Sequence, residues 1–121
     1  MGVLAWIVGL LLAAGIAMAG VSKLRGDAAM VETQERFGMS AGLFRIIGGL
    51  EVLAAIGLII GLFTDGQNAE WIGFLAAVGL ILLLIGAVVS HARAGDPPSG
   101  WVPAIVMLAL SVLYIIFIGA R

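Results

Sequence analysis

The chain has 121 residues, enough for one domain, of which 63% are hydrophobic and 11% charged, where an ordinary soluble domain has about 45–50% and about 25%. A net charge of -1 provides no basic excess for a phosphate backbone, so nucleic acid is not an expected partner. The lack of Cys excludes disulfides, thiolate catalysis and iron–sulfur ligation, and one His with scattered carboxylates makes no zinc set, so no metal is expected.

Uncharged runs predict spans at 2–23, 42–64, 71–93 and 100–120, with a connector at 24–41. Each is close to the ~20 residues that cross a ~30 Å hydrocarbon core as a helix. Runs this apolar can satisfy their backbone in lipid only as helices. The expected fold class is therefore all-α, a single integral membrane domain over 1–121 built as a bundle of four transmembrane helices.

In the first span, Ala17-Met18-Ala19 has the look of a signal-peptidase site. Nothing basic precedes Trp6, however, and Lys23 and Arg25 follow the apolar run, so the span is read as retained. It ends in the phrase VSKLRGD (21–27). In the connector, Met30, Val31, Gln34 and Phe37 alternate with Glu32, Glu35 and Arg36 in a pattern that suggests a short interfacial helix, a solvated connector being the alternative.

The second span carries Arg45 and, six residues on, Glu51. At 1.5 Å per residue Glu51 sits roughly 9 Å deeper, where a lone carboxylate costs about 2.5–3.5 kcal/mol even on insertion scales. It should face the bundle interior, paired or protonated. Six residues do not return to the same helix face, which points to a partner on another helix, either Lys23 or His91. The four residues Lys23, Arg45, Glu51 and His91 form the candidate polar cluster. It is either a pocket that binds a polar headgroup or exchanges protons, or a buried ion pair that fixes helix register.

Gly57 and Gly61 have the spacing of a helix-dimer motif, and Gly79 and Gly86 are one heptad apart on the third span. Trp6, Trp71, Trp101 and Tyr114 are candidate interfacial anchors. The turn-rich loop TDGQNAE makes spans two and three antiparallel neighbours. The third span ends in VSHARAGD (89–96), and Gly95, Pro97 and Pro98 then stop the helix. The likeness to VSKLRGD suggests either a parallel two-plus-two repeat or two independent basic helix ends, which the helix dipole and anionic headgroups both favour. On that bland reading Arg25, Arg36 and Arg93 serve topology and lipid contact.

Lys23, Arg25, Arg36 and Arg45 lie between spans one and two, Arg93 lies between three and four, and the loop from Asp65 to Glu70 has no basic residue; Arg121 alone opposes the trend. The basic loops are therefore expected in the cytoplasm and both termini outside it.

Three motifs together, GVSKL at the end of span one, RIIGGLE in span two and HARAGD at the end of span three, resemble the DoxX-like family of small four-helix membrane proteins. The likeness covers nearly the whole chain. It implies a bacterial cytoplasmic membrane protein that serves membrane redox systems, since relatives are associated with thiosulfate:quinone oxidoreductase and with oxidative-stress complexes. Lys23, Arg45, Glu51 and His91 match the family pattern. A thiol-dependent quinone reductase of similar architecture is no guide to this chain, which has no Cys. Three roles follow as expectations. The first is an accessory or assembly subunit of a larger membrane complex, or a homo-oligomer, in the lipid bilayer. The second is a quinone-linked oxidoreductase subunit with no intrinsic cofactor beyond a bound quinone, and the third is a small-solute or proton transporter.

Overall fold

The computed structural model describes residues 2–119; Met1, the span end at Ala120 and the opposing charge of Arg121 lie outside the described residues. Among those residues the chain is wholly helical: α1 (Val3–Arg25), α2 (Ala28–Phe37), α3 (Ala41–Phe63), α4 (Gln67–Arg93) and α5 (Pro98–Gly119). The four long helices are apolar enough to cross a membrane, and α2, none of whose residues is buried, occupies the connector as a short helix.

Local chemistry sets the ends. α1 stops at Gly26, whose φ of 69° is the left-handed region that glycine enters freely, and α4 gives way to Gly95 at φ 72°. In both places the next amide folds back. Asp27 N–H donates to the Ser22 carbonyl at 3.2 Å and Asp96 N–H to the His91 carbonyl at 3.0 Å, filling helix-end acceptors. α2 ends the same way at Gly38. Ser40 Oγ then accepts from Leu43 N–H at 3.1 Å to start α3. Pro98 takes the first position of α5, where its missing N–H costs nothing. α4 begins at Gln67, ahead of its apolar run, because polar side chains at a helix start need not enter the hydrocarbon.

The long helices form a ring in the order α1, α3, α4, α5, each antiparallel to the next, with α5 closing on α1. Lys23, Arg25, α2, Arg45 and Arg93 gather at one end, called here the basic end; the α3–α4 turn with Asp65 lies at the other. Leu12, Ile16, Leu58, Leu80 and Tyr114 fill the centre, while Leu53, Ile56, Leu75, Leu82, Val106 and Ile116 point outward as lipid-facing residues should.

Small residues bring the helices together. Gly20 of α1 lies against Gly48 of α3 so closely that a Cβ on Gly48 would stand 2.8 Å from the Gly20 carbonyl oxygen and 2.7 Å from Lys23 Cβ. Gly57 and Gly61 are buried inside the chain, Gly57 against Ala76 and Gly61 against Gly73 and the Tyr114 hydroxyl. The dimer-motif spacing is therefore used between α3 and α4 of one chain. Tyr114 is likewise no interfacial anchor. It is 2% exposed, and its hydroxyl donates to the Leu58 carbonyl at 2.8 Å, because a phenol this deep must find an acceptor. Trp6, edge-on to Phe63 at 4.6 Å, and exposed Trp71, edge-on to Phe74 at 5.6 Å, ring the end away from the basic residues.

Two substitutions should separate in size. Gly48→Ala forces backbone apart and should cost about 1–3 kcal/mol, whereas Tyr114→Phe removes one hydrogen bond and should cost about 0.5–1.5 kcal/mol. Thermal unfolding in detergent reads both, and a Gly48→Ala protein as stable as the parent would contradict the close crossing.

Candidate functional site

The close crossing at Gly20 and Gly48 places Lys23 level with Gly48, and Glu51 lies three residues further along α3. That separation is about 4.5 Å of helix rise, and the lysine stem spans it. Lys23 Nζ ends 2.7 Å from Glu51 Oε1, with the two side chains 16% and 7% exposed. The ammonium also stands 5.5 Å from the centre of the buried Phe44 ring, within cation–π reach. The pair answers the cost of a carboxylate inside a span by neutralising it across two helices.

Glu51 Oε1 is buried, and the Lys23 ammonium stands against it at 2.7 Å. A carboxylate accepts at about four lone-pair positions, so Glu51 retains capacity for a donor. It lines a cavity of about 200 Å³ together with Lys23, Phe44, Ile47 and Ser90, closed toward the basic end by Phe37 and Met39. Leu82 and Leu83 belong both to this cavity and to an open apolar groove between α3 and α4. The polar pocket and the apolar groove therefore adjoin at these two side chains.

The structure does not assemble all four candidate residues at that pocket. Lys23 and Glu51 meet there. Arg45 is exposed and lines a different cavity, on the α2 side of Lys23 and Phe44. His91 turns to Asp96, with Nδ1 at 2.6 Å from Oδ2; a carboxylate only accepts, so Nδ1 carries the hydrogen. Asp96 in turn accepts two bonds from Arg36 of α2, Nε at 3.1 Å and Nη2 at 2.9 Å. Phe37 packs edge-on against the His91 ring at 4.8 Å. Arg36 also lies 3.7 Å from Glu32.

This second cluster straps α2 to the end of α4, over the Lys23–Glu51 pocket whose rim Phe37 and Met39 form. Arg36 thus has a tertiary role beyond the topology and lipid contact its sequence position suggests. Its bond to Asp96 joins residues 60 apart in the chain, a distance no local spacing reveals. The polar ending of α4 is the one signal that could have raised Asp96 as a candidate. Arg25, by contrast, makes only a local exposed contact, Nη2 to Asp27 at 3.0 Å.

Two predictions follow from these contacts. Removing one partner of a buried pair leaves an uncompensated charge, so Lys23→Met should cost about 3–5 kcal/mol, while Lys23→Met/Glu51→Leu together should recover most of it. Chemical or thermal unfolding of the single and double variants decides this, and an undisturbed single variant would refute the pairing.

The strap has a pH signature. The Arg36 guanidinium first, and His91 second, hold the Asp96 carboxyl below its ordinary value of 3.8. A lowered folded value means the stabilisation is present above that ordinary value and disappears as the pH falls through the lower one. Hydrogen exchange across Ala28–Phe37 should show protection at neutral pH, lost only below 3.8. Asp96→Asn should release it at neutral pH.

Comparison with known proteins agrees with this architecture. No match is found among curated proteins or among solved structures. The family model described as DoxX-like family matches residues 7–114, which includes α1 from its second turn, α2, α3, α4 and most of α5, with both polar clusters. This four-span membrane chain belongs to the DoxX-like family.

Proposed function

We propose that the protein is a small accessory subunit of a larger membrane redox assembly and that its Lys23–Glu51 pocket receives the polar head of a quinone. The observation that carries this reading is that the pocket adjoins the apolar groove, with Leu82 and Leu83 lining both. A soluble metabolite needs no such groove; a head with an isoprenoid tail does.

The residues present suit that head group. Lys23 supplies an ammonium donor for a carbonyl oxygen, and Glu51 supplies a carboxylate with unfilled acceptor capacity that can hold a proton or pass one. Ser90 adds a hydroxyl at the rim, although it already donates to the Gly86 carbonyl at 2.8 Å. A bound quinone would supply two-electron, two-proton chemistry. With no Cys to hold a cluster, the electrons come from a partner, which is why the role is that of a subunit. With the basic end taken as cytoplasmic from the loop charge bias, the pocket lies near the inner headgroups of a bacterial cytoplasmic membrane.

Mass spectrometry of the protein gently extracted from its membrane tests both halves of the reading. Near-stoichiometric quinone together with a fixed set of partner chains is expected, and quinone should disappear in Glu51→Gln while the partners stay. Partner chains without quinone in the parent protein would reduce the pair to a register pin in a structural subunit. A folded Glu51→Gln protein that retains quinone would remove the pocket from the proposal.

A further inference from the structure

Lys23 and Phe44 form a wall with a cavity on each side. One side holds Glu51. The other, of about 240 Å³, is lined by Arg45, Lys23, Gln34 and Ala41 with apolar Met30, Val31 and Phe44, and no carboxylate lines it. Its volume is several times the ~30 Å³ share of one water.

The charges around it are unequal. Lys23 is held by Glu51, Arg25 by Asp27, and Arg36 by Asp96 and Glu32. Arg45 has no acidic partner among the described residues, and it is exposed on the first turns of α3. The cavity therefore carries one uncompensated guanidinium, with Lys23, its ammonium engaged by Glu51, in the shared wall and the positive end of the α3 dipole at Ala41. Lys23 near the end of α1 is level with Gly48, and Arg45 lies three residues nearer the basic end. Guanidinium groups favour phosphate through two parallel N–H donors.

We propose that this cavity, walled by Arg45, Lys23 and α2, is a binding site for a phosphate group, carried either by an acidic lipid or by a soluble anion. It lies across the Lys23–Phe44 wall from the quinone pocket and does not depend on a quinone being bound there. Met30 and Val31 provide apolar contact for the glycerol side of a lipid phosphodiester, while Gln34, already donating to the Met39 carbonyl at 3.1 Å, completes the α2 side of the lining.

Native mass spectrometry of the purified chain in detergent tests the site, with phosphatidylglycerol, diacylglycerol of the same acyl chains and inorganic phosphate as probes. One phosphatidylglycerol per chain is expected and no retention of diacylglycerol. Arg45→Gln should weaken phosphatidylglycerol binding roughly tenfold or more, and Arg45→Lys by less, because the charge survives and the fork does not. If inorganic phosphate binds with the same Arg45 dependence and the lipid does not, the site stands and its ligand is aqueous. Equal phosphatidylglycerol binding by the parent and a folded Arg45→Gln protein would overturn the proposal, as would equal binding of diacylglycerol. Quinone retention in Arg45→Gln should be unchanged, so a failure here is distinguishable from a failure of the quinone reading.

Discussion

A carboxylate well inside an apolar helix is the constraint on which the rest of this structure turns. A lone charge there is costly, and the Lys23 ammonium at 2.7 Å supplies the partner. The ion pair requires α1 and α3 to cross closely at one depth, which in turn requires glycine at 20 and 48, where a Cβ would meet backbone. Phe44 and the stem of Lys23 then become the partition between two cavities. A structural demand on two helices has thereby shaped the polar end of the bundle.

The two ends are held by different physics. Away from the basic end, Gly57, Gly61 and Gly73 let α3, α4 and Tyr114 approach closely, and one buried hydroxyl finds a backbone carbonyl. That end is close-packed through small residues and dispersion contacts. At the basic end, α2 has no buried residue and is attached through charge: the Arg36 fork on Asp96, His91 on the same carboxylate, and Phe37 against the imidazole. Charged contacts near water are weaker and more easily exchanged than packed ones. The cover of the Lys23–Glu51 pocket is thus held by charge rather than by packing.

The repeated phrases VSKLRGD and VSHARAGD share a backbone reason and diverge in side-chain use. Gly26 and Gly95 both take the left-handed conformation, and the Asp that follows each returns its amide to a helix-end carbonyl. A helix that must stop at a membrane surface needs no common ancestor segment to reach that solution. Beyond the caps the likeness fails. Lys23 reaches inward to α3, His91 reaches along to Asp96, and α5 carries no counterpart of Glu51.

The sequence by itself determined the number of spans, the helical class, the polarity of the loops and the need for Glu51 to find a partner on another helix. Each of these follows from local hydropathy, from helix rise and from the cost of charge in hydrocarbon, quantities a single segment carries. Its three motifs also pointed to the family that the match over residues 7–114 establishes. Only the tertiary structure decided between Lys23 and His91, assigned Arg36 to Asp96, turned Gly57 and Gly61 inward and put Arg45 and Glu51 in separate cavities. Those outcomes depend on the relative rotation and depth of whole helices, which packing between distant segments sets.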